Sequence, residues 1–303
     1  MILAQEVPVR VIRNSFFLIV YFLLAVAANA HTVTWVSGTG NDNNPCTRIA
    51  PCATFAGALT KTLPGGEIDA LDAGNYGPLI INKAVTINGN SVATIAVEDL
   101  EGGILINAGA SDVVILRNIE LNGLGSAVEG ILFDSGKALQ IDHCKIPRFA
   151  GDGILVESSS GSISILDTVS SDNRTAGLAV GPQVAVTVDR SRFEHNQIGG
   201  IIATGGNITV SNSDVSNNFQ GFLLEAADTD VKVDIFNSTI SNNQKGIEAS
   251  SPGIGKAIVR LANVALFTNT VAGLHAEPGA IIESFGNNYN SGSGTPNVLR
   301  SPQ

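Results

Sequence analysis

The chain has 303 residues, and its 27 acidic and 17 basic side chains give a formal charge of −10, with only 5% of residues aromatic. Thinly scattered Lys and Arg on so acidic a chain argue against nucleic-acid binding, which rests on phosphate neutralisation. They also match anionic membrane surfaces poorly. The length suffices for one large domain.

At the amino terminus, Arg10 and Arg13 precede an apolar run from Phe16 to Ala28, closed by Ala28-Asn29-Ala30. That is the layout of a secretory signal peptide, residues 1–30, with cleavage before His31. The competing reading is a retained membrane anchor, for which the run is short. Removal leaves 273 residues with a charge of about −11, in a secreted or periplasmic compartment.

Next, Cys46 and Cys52 bracket the short loop CTRIAPC, and in a secreted chain this favours a local disulfide. No second Cys or His pair has metal-ligand spacing, which argues against zinc. Residues 54–63 (TFAGALTKTL) place apolar residues at helical spacing, and Pro64-Gly65-Gly66 ends the segment. The spacing predicts a short helix, placed to cap the open end of a stack of coils. Residues 31–75 thus read as an N-terminal cap with a disulfide loop and first strands, and 76–303 as repeated coils with a short tail.

From Gly130 onward a Gly-apolar-x-apolar tetrad recurs: GILV at Gly153, GLAV at Gly177, GIIA at Gly200, GFLL at Gly221, GIEA at Gly246 and GLHA at Gly273. Between tetrads lies a second pattern, as in VTVDRSRF (186–193) and ITVSNSDV (208–215), each followed three residues later by asparagine: Asn196, Asn218, Asn243, Asn269. A short strand cannot bury its apolar face alone, so stacked copies share one core. Strand alternation points Val186 and Val188 inward, places a bend at Asp189 and Arg190, and turns Ser191 and Phe193 inward again. Three short strands per coil, stacked about 4.8 Å apart, predict a three-sheet parallel solenoid. The recurrent asparagines are expected at left-handed bends, their amides bonded up and down the stack, and the tetrad glycines at tight turns. Cys144 occupies the small-residue position that other coils fill with Thr168, Ser191, Ser213 and Ser238, as a structural thiol would.

The opening of the repeat region carries Thr54, Phe55, Ala58 and Leu59, then Pro64, Gly65 and Ile68, Gly74 and Tyr76, and Ile81, Lys83, Val85, Ile87 and Gly89. This layout resembles that of secreted right-handed parallel β-helix proteins of the pectin-lyase-like superfamily. The resemblance covers essentially the whole chain after residue 30. It implies an all-β, single-stranded right-handed parallel β-helix with a short N-terminal capping helix. It further implies a polysaccharide ligand, bound or processed by lyase or hydrolase chemistry, or else a non-catalytic surface or interaction scaffold.

Pectin-hydrolysing members carry Asn-Thr-Asp-Gly before one tetrad, Asp-Asp before the next and Gly-His-Gly after that. This chain has Gly151-Asp152-Gly153, but then Thr175-Ala176 and Ile198-Gly199, so the paired acids and the histidine are missing. The Gln-Asp-Thr-Leu and Asp-Phe-x-Phe-Gly segments of pectin esterases are also absent. Pectate lyases need clustered calcium-binding acids and an arginine base, without a short diagnostic motif.

Two constellations remain as candidate catalytic groups. Glu129 and Asp152 each precede a tetrad glycine in adjacent coils, about 5 Å apart along the stack. Two carboxylates so placed would share a proton, act as acid and nucleophile, or bind Ca2+. The alternative is two solvated turn acids. His143, Asp167 and Arg190 share one bend position in three successive coils and would make an acid/base cluster. Elsewhere that column holds Asn118, Asn212, Asn237 and Asn263, as a structural ladder would.

The outward position of the tetrad strand is apolar in Leu132, Leu155, Ala179, Ile202 and Leu223, before Glu248 and His275 break the run. A covering loop or a homo-oligomer contact through these five residues is expected there. After residue 30 only Trp35, Tyr76 and Tyr289 offer an amphipathic ring for sugar stacking. Asn-x-Ser/Thr sequons occur at Asn173, Asn207 and Asn237.

Overall fold

A computed structural model describes residues 31–98, 102–181 and 183–300. The proposed leader, residues 1–30, lies outside them. Among the described residues no helix is long and apolar enough to cross a membrane.

Every strand pairing is parallel, and strands pair with their counterparts one coil away rather than with sequence neighbours. One face is a nine-stranded sheet made of the tetrad segments, running from Leu79–Ile81 to Ala272–Ala276. It begins two strands before the repeat becomes legible in the sequence, because Leu79–Ile81 and Ile104–Asn107 already belong to it. The longer strands, such as Ala185–Asp189, form a second face, and the three-residue strands, such as Arg192–Glu194, form the third. Near the amino-terminal end, Val85–Ala96 and Val113–Asn122 run through the corner and serve both of these faces.

The interior is a set of stacked columns. Ile131, Ile154, Leu178, Ile201, Phe222 and Ile247 follow one another in register and are fully buried. Each such side chain contributes about 1.5–3 kcal/mol through burial. Val186, Val188, Ser191 and Phe193 all point inward, as strand alternation predicts.

The recurrent asparagines are buried and joined amide to amide: Asn173 to Asn196, Asn196 to Asn218, Asn218 to Asn243 and Asn243 to Asn269, at 2.9–3.2 Å. They are not the left-handed residues. Positive φ falls one position earlier, at Asp172, His195, Asn217, Asn242 and Thr268. The tetrad glycines likewise need no left-handed backbone, since Gly130, Gly153, Gly177, Gly200, Gly221, Gly246 and Gly273 all lack a positive φ. They are small because of a close approach. A Cβ on Gly177 would stand 2.9 Å from the Asn196 amide nitrogen and 2.9 Å from the Gly200 carbonyl oxygen. A Cβ on Gly200 would meet the Asn218 amide at the same 2.9 Å.

A second polar ladder runs through the small residues. The hydroxyls of Thr168, Ser191, Ser213 and Ser238 each accept the main-chain N–H of the corresponding residue one coil earlier and donate to a carbonyl two residues back in their own coil. Cys144 heads this column, 1% exposed.

Near the amino terminus the helix is shorter than its sequence suggests, covering only Phe55–Leu59. Thr54 caps it by accepting the Gly57 N–H at 2.8 Å. Residues Thr62–Ala70, Pro64-Gly65-Gly66 included, are strand instead, because Gly66 to Asp69 pair with Val85 to Asn88 of the next coil. Cys46 and Cys52 are joined through their sulfurs, with Cα atoms 4.7 Å apart.

Candidate functional site

Glu129 and Asp152 lie at the edge where the turns enter the tetrad sheet. The main chain holds them in successive coils: the Gly103 N–H donates to the Glu129 carbonyl at 2.9 Å, and the Gly130 N–H to the Asp152 carbonyl at 3.0 Å. Both side chains are half-buried. The Asp152 carboxylate accepts the Ala176 N–H at 2.9 Å, which aims it toward the following coil.

Burial pushes the Asp152 carboxyl up to about 6; the Ala176 N–H opposes this and the charge of Glu129 adds to it. Burial also raises Glu129, followed by the charge of Glu157. The two carboxyls titrate as a pair, each raised chiefly by burial. One member of the pair is therefore suited to donate a proton while the other is charged.

Two grooves open on this face. One, of about 700 Å3, runs between Ala56, Ile80, Leu105, Leu132 and Glu129. The other, of about 560 Å3, is lined by Asp134, Leu155, Glu157, Ala179 and Ile202. The outward apolar column is half-buried along Leu105, Leu132, Leu155, Ala179, Ile202 and Leu223, and exposed at Ile80. Among the described residues, both grooves open to solvent.

His143, Asp167 and Arg190 do come together, on a different face. Arg190 grips Asp167 with two nitrogens at 2.9 Å, and His143 Nε2 stands 3.9 Å from Asp167 while its Nδ1 lies 2.6 Å from Asp142. All three have positive φ, like Asn118, Asn212, Asn237 and Asn263 in the same column. Asp167 is held below the usual aspartate range, first by the Arg190 hydrogen bonds and then by the Arg190 and His143 charges. A carboxylate so held is a poor proton carrier. His143 also borders a small hollow of about 230 Å3 with Glu120 and Lys145.

Farther along the tetrad face lies a cluster that sequence reasoning passed over. Glu248 points outward yet is only 9% exposed, taking the Gln220 amide on one oxygen and Lys245 on the other at 2.5 Å. His275 is its register partner in the next coil, followed by Glu277. The signal was present as the polar break in the apolar column.

Among the described residues, two groups of acids and histidine lie close enough to share a metal ion, with ligand atoms within 4.8 Å of one another: Asp142, His143 and Asp167, and Glu248, His275 and Glu277. Each contains an imidazole, a transition-metal donor, whereas calcium prefers an all-oxygen shell of six to eight ligands. Arg190 and Lys245 already occupy a carboxylate in each group.

The scarce rings offer little stacking surface here. Tyr76 is buried against Phe55, its hydroxyl donating to Asp72. Tyr289 is exposed, but on the last coil of the short-strand face. Of the sequons, Asn173 is fully buried in the amide ladder, whereas Asn207 and Asn237 are exposed.

No curated protein matches the sequence. Among solved structures the chain is similar to pectate lyase Pel9A, at 13% identity, with 91% of this chain and 80% of that one covered and a TM-score of 0.66. It is also similar to a rhamnogalacturonan lyase, at 12% identity, 88% and 85% coverage and a TM-score of 0.53. A third is ORF18 of Geobacillus virus E2, at 12% identity, 95% and 62% coverage and a TM-score of 0.56. These likenesses concern the fold. The right-handed beta helix region family matches residues 129–295, more than half of the chain, and the protein belongs to that family.

Proposed function

We propose that this chain is a secreted or periplasmic β-helix protein that binds a polysaccharide along the tetrad face and cleaves it, by lyase or hydrolase chemistry, at Glu129 and Asp152. One observation carries the reading: two carboxylates sit in adjacent coils at the edge of a regular sheet, both raised by burial, and one of them, Glu129, borders a groove. Asp152 would protonate the leaving oxygen, and Glu129 would act as base or nucleophile. The fold shared with proteins named as pectate and rhamnogalacturonan lyases supports the choice of substrate by analogy. Residues 1–30 would direct export, and the helix Phe55–Leu59 would seal the amino-terminal end of the stack.

A panel of acidic and neutral polysaccharides, incubated with and without calcium, tests this directly. Shortened or unsaturated products that disappear in Glu129→Gln or Asp152→Asn are the expected result. Full activity in the double variant retires the site.

A second reading rests on the apolar column. Leu132, Leu155, Ala179, Ile202 and Leu223 would then seat a second copy of the chain, making the solenoid a non-catalytic scaffold. Sedimentation distinguishes the two, since the scaffold requires a dimer that Leu155→Lys dissolves.

A further inference from the structure

We propose, building on the tetrad-face reading above, that the polysaccharide accepted there lacks carboxylates: it is a neutral glycan, and the reaction is hydrolysis rather than elimination. The charges along the face carry this. Glu129 borders one groove, Asp134 and Glu157 line the other, and Asp152 stands in the coil between Glu129 and Ala176. Among the described residues lining the two grooves there is no Lys or Arg. The charge of Glu129 acts on Asp152 and the charge of Glu157 on Glu129, both raising the carboxyl they face. Lys245, farther along the face, is already paired with Glu248. A polyuronate brings about one negative charge per sugar, and like charges brought together on a low-dielectric wall cost several kcal/mol.

A bridging cation would reverse that argument, so its ligands matter. Among the described residues, neither group able to share a metal ion includes Glu129, Asp134, Asp152 or Glu157. One Asp152 oxygen is already occupied by the Ala176 N–H. The chemistry follows from the substrate class. Elimination removes a proton from the carbon beside a uronate carboxylate, and without that carboxylate the proton is not acidic. Hydrolysis needs only water: the bond from the anomeric carbon to the leaving oxygen breaks, and Asp152 supplies the proton to that oxygen. Water forms the new bond to the anomeric carbon, directly with its proton passing to Glu129, or after Glu129 has bonded there first.

Binding, measured by affinity electrophoresis, separates the possibilities without depending on turnover. The probes are galactan, arabinan and xylan against polygalacturonate and alginate, at low and high salt, with and without calcium. A neutral glycan should retard the protein at concentrations at least about tenfold below any polyuronate at low salt, with little salt dependence. Glu129→Gln/Glu157→Gln, checked for folding by circular dichroism, should narrow that gap. A polyuronate that binds tighter than every neutral glycan, with or without calcium, overturns this inference but leaves the tetrad-face site standing. Retardation by none of the five overturns both.

Discussion

The Asn218 carboxamide oxygen accepts two hydrogen bonds from Asn196 of the preceding coil, one from its main-chain N–H at 2.9 Å and one from its side-chain amide at 3.1 Å. The Asn218 amide in turn donates to the carbonyls of Phe193 and Ser216 and to Asn243. Removing one side chain therefore orphans buried groups in two coils.

Asn218→Ala should destabilise the solenoid by about 2–4 kcal/mol, since an unsatisfied buried polar group costs about 1–3 kcal/mol and more than one is created here. Urea titration followed by circular dichroism measures it. A loss below about 0.5 kcal/mol would show that water replaces the amide.

Asp152 couples stability to pH. Its folded value, about 6, lies above the ordinary 3.8, so the folded chain holds that proton more tightly than the unfolded one. Stability from this group is fully present below pH 3.8 and is lost as pH rises through about 6. Asp152→Asn should remove this slope and stabilise the protein by about 1–2 kcal/mol at pH 8, after discounting for partial solvent access. Thermal melts at pH 4 and pH 8 decide it; an unchanged slope rules out Asp152 as its source. Any cleavage requiring the Asp152 proton should likewise decline above pH 6.

Arg190 and Asp167 form an exposed pair at a left-handed bend. Arg190→Asn restores the residue type found at Asn212 and Asn237, so the urea midpoint should stay close to that of the parent and activity should persist. A hundredfold loss of activity with an intact fold would instead restore this column as the catalytic one.

Cys144 is buried, with its thiol pushed up to about 12, chiefly by desolvation. Ellman's reagent should find no reactive thiol in the folded protein, one after denaturation, and three after denaturation and reduction. A reactive thiol in the native state would contradict the packing of this column.

The repeat was legible because burial alternates with period two, so Val186, Val188, Ser191 and Phe193 declared their side of the sheet from sequence alone. What was not legible depends on contacts between coils. The left-handed residues were misplaced by one position, since Asp172 and His195 break the pattern that Asn217 and Asn242 suggest. The tetrad glycine could not be traced to the neighbouring asparagine, because Gly177 and Asn196 lie on separate coils and far apart along the chain. Glu129 and Asp152 were visible as a pair, but their raised hold on a proton arises from burial, which a sequence does not display. Glu248 was legible only as a break in the apolar column, because its amide partner Gln220 comes from the preceding coil.

The fit between the tetrad glycines from Gly153 to Gly246 and the asparagine of the next coil sets the grain at which this molecule can change. Residues added in the loops after a tetrad leave the contact intact, since the spacing from glycine to asparagine already runs from 18 residues (Gly200 to Asn218) to 23 (Gly246 to Asn269). A whole coil added or removed leaves every amide with a neighbour. The shaft can therefore grow or shrink in increments of one strand spacing, about 4.8 Å, while intermediate lengths are closed to it.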